Sequence, residues 1–190
     1  MSCVEIYGFD KQGEAYLYGE VHNSFRGGMA IWRCLEDKYL PPYAPKWASA
    51  SFINGHSWSR CYGSGIEGIK EIWDLWKSDR VTRDEKICLL STFDDVLVRK
   101  ENIPLVVKAF RAFDGDTNLK EQADILEKMI ADENCIAVGW NQTSVNGTTW
   151  VNRAGYDEEN DRNIPYNCLT GSDHWWLFEF LDEKKVTGGE

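Results

Sequence analysis

Nowhere in this chain does an apolar run reach the roughly 18–20 residues that a helix needs to cross a bilayer, so the sequence predicts no membrane span. The first residues, MSCVEIYGFD, lack both a basic stretch and a sustained apolar segment, which predicts no export signal and a cytoplasmic setting. CxxC pairs are missing as well. Cys3, Cys34, Cys61, Cys88, Cys135 and Cys168 are widely spaced, and without an export route they read as reduced thiols instead of a disulfide frame. The sequons at Asn141 and Asn146 then carry no glycosylation meaning. Histidine is scarce, at three residues, and neither His56 with Cys61 nor Cys168 with His174 has the short paired spacing of structural zinc, so no metal and no cofactor are expected. Positive charge is in deficit. Lys and Arg number 21 against 31 Asp and Glu, and the net charge of -10 argues against an extended nucleic-acid-binding surface or a grip on anionic lipid. The same excess would let a compact protein offer carboxylates to a DNA-binding protein as a phosphate mimic.

What is present is ordinary in bulk and unusual in one respect. At 190 residues, 43% hydrophobic and 27% charged, the chain suits one compact domain with a core that needs no covalent staples. Nine Trp, eight Tyr and eight Phe give that core an aromatic character. Residues 1–181 are read as a single domain, and 182–190, charged and ending in Gly-Gly-Glu, as a flexible tail.

Cys3 to Phe9 and Glu14 to Val21 are β-leaning runs around a turn ending in Gly13, which predicts a hairpin packed on one side. A helix over 24–40 follows, with Phe25, Met29, Trp32, Leu35 and Tyr39 on one stripe and Ser24 as its N-cap. Prolines and Asn54-Gly55 break the stretch from Leu40 to Ser64 into an ordered aromatic loop. Capping boxes at Ser64/Glu67, Thr82/Glu85 and Asn118/Glu121 start helices over 65–78, 83–94 and 119–131, and Pro104 suits the first turn of a helix over 103–113. Val96 to Val98 reads as a short extended piece. Asn146-Gly147 predicts a hairpin between Ile136–Val145 and Thr148–Asn152, and HWWLFEFL, residues 174–181, a central strand covered on both faces. The expected fold class is α+β: a single domain with a mostly antiparallel sheet of N- and C-terminal strands, covered by about five helices.

Two places could bind something. At the start of the first helix, Ser24, Arg26, Gly27 and Gly28 would put a cation and open amides at the positive end of the helix dipole, suited to a phosphate or carboxylate. The plainer alternative, favoured here, has both glycines admitting a close approach to an aromatic ring or the sheet, with Arg26 paired to a carboxylate. In the aromatic loop, Tyr43, Trp47, His56 and Trp58, with Tyr62, could line a stacking groove, or could pin the loop to the core. The acidic run at 157–161 lacks the alternation of a calcium loop, and no pattern places a base beside a nucleophile, so no catalytic residue is assigned.

The segments VEIYGFDKQGEAYLYGEVHNSFRGGMAIW, ENIPLVVKAFRAF, IAVGWNQTSVN and IPYNCLTGSDHW resemble small acidic proteins of unknown function from phages and prophages of Gram-positive bacteria. The resemblance implies a bacterial or phage cytoplasmic setting and brings no catalytic residue with it. Together these readings predict a non-enzymatic binding or host-interaction protein for a protein or small-ligand partner. The alternatives are an enzyme or sensor for an anionic small molecule at the first helix, and an acidic nucleic-acid mimic.

Overall fold

A computed structural model describes residues 2–42, 44, 70–143 and 150–187. Strands β1 (Cys3–Phe9), β2 (Ala15–His22), β3 (Val96–Arg99), β4 (Ala137–Gln142) and β7 (Trp175–Trp176) form a five-stranded sheet in the order β2-β1-β4-β3-β7. Every pairing in it is antiparallel except β3 with β7. Strands β5 (Val151–Asp157) and β6 (Arg162–Pro165) make a separate antiparallel pair. The helices are α1 (Gly28–Tyr39), α2 (Arg83–Leu90), α3 (Ile103–Ala112), α4 (Leu119–Ala131) and α5 (Leu177–Thr187), with a further helical stretch at 70–74. The α+β class and the sheet built from both ends of the chain agree with the expectation from sequence.

Period-two alternation sets the layers. Val4 and Ile6 of β1, Val96 and Val98 of β3, and Val138 and Trp140 of β4 point into the larger core, shared with Ile31, Leu35, Leu90, Phe110, Leu126 and Leu177 of the helices. Their neighbours Tyr7, Phe9, Leu97 and Ala137 point the other way, into a second cluster closed by Trp150, Tyr166 and Cys168. The hairpin is therefore packed on both sides, not one. Gly139 makes the second cluster possible: a Cβ there would lie 2.8 Å from Leu97 and 3.0 Å from the Trp150 ring. Trp150 is fully buried, donates from Nε1 to the Trp140 carbonyl at 3.0 Å, and meets Phe9 edge-on at 5.3 Å.

Several local expectations are corrected. β4 pairs with β1 along its length and with β3 over Ala137–Gly139, and β5 pairs with β6 instead of with β4. The Asn146-Gly147 turn itself lies outside the described residues. HWWLFEFL is an edge strand of two residues followed by a helix, because Leu177, Phe178 and Leu181 at i, i+1 and i+4 make a buried helix face, at 0%, 7% and 6% exposure. A short apolar run satisfies either period. The helix continues through Thr187 across the stretch read as a tail, and 188–190 lie outside the described residues. α2 stops at Leu90 rather than 94.

The Thr82/Glu85 capping box is present in both directions. The Asn118/Glu121 box is not, since the Asn118 side chain makes no cap bond; the Ser64 box lies outside the described residues. Cys3, Cys34, Cys88, Cys135 and Cys168 are free thiols. Among the described residues no helix is long and apolar enough to cross a membrane.

Candidate functional site

The start of α1 is a packed joint between sheet and helices. Ser24 and Phe25 both take positive φ, 41° and 64°, so the chain turns sharply there and the helix begins at Gly28, not at 24. Gly27, not Ser24, is the N-cap and brings no side-chain cap bond; Phe25 is 85% exposed. The buried face of α1 is instead Ala30, Ile31, Leu35 and Glu36. Asn118 holds the turn from beneath: its backbone N–H donates to the Arg26 carbonyl at 2.8 Å, and Nδ2 donates to the His22 carbonyl at 3.4 Å and to Asn23 Oδ1 at 3.3 Å. Gln122 Nε2 donates in turn to Asn118 Oδ1 at 2.8 Å. These carboxamides are buried, and each bond removes a donor or acceptor that burial would otherwise penalise. Arg26 pairs with Glu121 at 2.9 Å. A Cβ on Gly27 would come within 2.3 Å of Asn23 Oδ1, whereas one on Gly28 would meet the Thr92 side chain at an ordinary 3.6 Å. Gly27 thus faces a carboxamide rather than an aromatic ring.

Tyr43, Trp47, His56 and Trp58 lie outside the described residues, so the four predicted residues that the structure brings together are Ser24, Arg26, Gly27 and Gly28. Among the described residues no group of three or more His, Cys, Asp or Glu side chains is arranged to hold a metal ion.

A different place gathers the open side chains. Leu97 is in register with Trp176, and Arg99, two positions on, shares its face, so the last residue of β3 reaches over the edge strand. The Arg99 guanidinium lies 4.0 Å from the Trp176 ring centroid. Its Nε and Nη2 donate to Glu179 Oε1 of α5 at 3.0 and 2.7 Å. One turn further along α5, Asp182 accepts from Arg83 Nη1 at 2.9 Å, and that guanidinium lies 5.7 Å from the Phe178 ring. Glu101 and Asn102, from the 3₁₀ turn before α3, and Leu105 of α3 form the opposite wall. The result is a groove of about 520 Å³ between β3, β7, α3 and α5. Leu105 is 45% exposed at its lip. Both ion pairs crossing it are exposed, with side chains 39% to 59% accessible, so each contributes only about 0–1 kcal/mol and exchanges readily for another partner.

Behind Trp176 the wall is stiffened. His174 meets the Trp176 ring edge-on at 5.2 Å, and its Nδ1 lies 2.8 Å from the Tyr166 hydroxyl. That hydroxyl also accepts from the Asp173 N–H at 3.2 Å, which ties the residue before His174 to the same oxygen. Burial, followed by the nearby Arg99 charge, pushes the His174 pKa below its ordinary value, consistent with a neutral ring.

Sequence reading missed the groove. By its pattern Trp176 belongs to a central strand, Arg99 follows a run notable only for its apolar residues, and the 179/182 spacing becomes a wall only once 177–187 is a helix. That i, i+3 carboxylate pair is the signal that could have pointed to it. Comparison with protein-family models, curated protein sequences and solved structures finds no match.

Proposed function

We propose that the chain is a non-enzymatic binding protein of phage or prophage type, working in the cytoplasm, which takes its partner in the groove between α3 and α5. The observation that carries this reading is the groove itself: about 520 Å³, floored by Leu97 and Trp176 and crossed by two exposed, exchangeable ion pairs. An aromatic floor supplies area with little rotamer freedom to lose, and labile ion pairs supply polar groups that a partner can take over at small cost. The resemblance of four segments spread over much of the chain to phage and prophage proteins supports the setting. The anion-sensor alternative has less behind it at α1, where Ser24 does not cap the helix and Arg26 pairs with Glu121 at 2.9 Å.

Selection of short peptides of mixed charge against the folded protein, with binding footprints mapped by amide chemical shifts, tests this reading. Footprints that include Leu105, Trp176 and Glu179 are expected. Selected peptides whose footprints consistently avoid those residues would overturn it.

A further inference from the structure

We propose that the occupant of this groove is a basic segment of a partner protein, held through arginine or lysine side chains; the inference rests on the groove being the binding surface. Along β7 and α5 stand two clamps, each made of an aromatic ring and a carboxylate, and each already holds a guanidinium. Arg99 sits 4.0 Å from Trp176 and 2.7 Å from Glu179, while Arg83 sits 5.7 Å from Phe178 and 2.9 Å from Asp182. The protein's own arginines therefore display the chemistry these walls complement: a flat cation laid on a ring, with its N–H edge turned to a carboxylate.

The lining is acidic beyond what those internal pairs neutralise. Glu101, Glu179, Asp182 and Glu183 face Arg83 and Arg99. Among the described residues Glu101 and Glu183 stand in no ion pair, and both are exposed. Leu105 adds an apolar ledge along which the alkyl stem of a lysine or arginine can lie while its head reaches Glu101 or Glu183. A ligand of either sign exchanges with one partner of each internal pair, but an anionic one would also face the two further carboxylates. At longer range the net charge of -10 draws a basic partner toward the protein and repels an acidic one.

The test titrates the isotope-labelled full chain with an oligoarginine peptide and, separately, an oligoglutamate peptide of equal length. Oligoarginine is expected to shift the Trp176 indole and the amides of Glu101, Leu105 and Glu183, with an affinity that falls as salt rises. Glu101→Gln with Glu183→Gln should weaken it at least tenfold at an unchanged melting temperature. Glu158→Gln with Glu159→Gln, in the turn between β5 and β6, should leave it unaltered. Equal weakening by both variant pairs would mean diffuse attraction to an acidic surface and would overturn the inference. Oligoglutamate shifting the groove residues instead would overturn the cationic assignment and leave the groove standing as a binding surface. Groove residues that respond neither to these peptides nor to any selected one would overturn both.

Discussion

Two adjacent glycines at the joint have opposite roles. Gly27 lies against Asn23 Oδ1, an atom that cannot retreat without breaking its bond to Asn118 Nδ2, so Gly27→Ala should destabilise the fold by about 1–3 kcal/mol. Gly28 meets only ordinary contacts in the first turn of α1, and Gly28→Ala should be neutral or stabilising by up to about 1 kcal/mol, because alanine loses less backbone entropy in a helix. Parallel denaturant melts would check the pair, and equal losses at both positions would refute the account of the joint. Glu85 makes the second residue-scale case. Burial alone would push its carboxyl up, yet hydrogen bonds from Lys38, Tyr39 and Thr82 outweigh burial and hold it at about 2, below its ordinary value of 4.5. A carboxylate with a lowered folded pKa contributes stability that is fully present above about 4.5 and is lost as pH falls toward 2. Glu85→Gln should therefore reduce stability by about 1–3 kcal/mol at neutral pH and flatten the acid side of the stability profile. An unchanged acid limb would show that these bonds do not tie α1 to α2.

At the scale of elements, what could be read from sequence was what local chemistry decides. The Thr82/Glu85 box forms because both groups need only the first turn of their own helix, and Pro104 fits the start of α3 because a first-turn amide has no helical partner to lose. Asn118 carries the same signature, but its carboxamide is claimed by Asn23, His22 and Gln122, partners no local pattern reveals. The Asn146-Gly147 signal likewise says nothing of β4 pairing with β1 and β3 and of β5 pairing with β6. For 174–181 the ambiguity lay in the side chains themselves, since strand and helix both bury Leu177 and Leu181, and only the sheet edge at Trp176 settles which is formed. If α5 is the helix described, amides from Leu181 into the following turn should exchange with deuterium far more slowly than those of a free tail. Unprotected amides from Asp182 onward would restore the tail reading.

For the whole molecule, the fold class was legible because hydrophobic periodicity marks the strands at both ends and the helices between them. The groove was not, because its arginines and its wall come from α2, β3, α3, β7 and α5, which the sequence keeps far apart. Its position also follows from topology. The parallel pairing of β3 with a two-residue edge strand leaves Arg99 at the rim of the sheet, and α5 then turns Glu179 and Asp182 toward it. A substitution at the lip separates this account from diffuse acidity. Leu105 is exposed, so Leu105→Arg should leave the melting temperature unchanged while placing bulk and positive charge where the partner's cation would lie. The decisive measurement is the affinity of this variant for oligoarginine at low salt: a loss of at least tenfold is predicted, and binding equal to that of the unaltered protein would contradict the assignment of the groove as the binding surface.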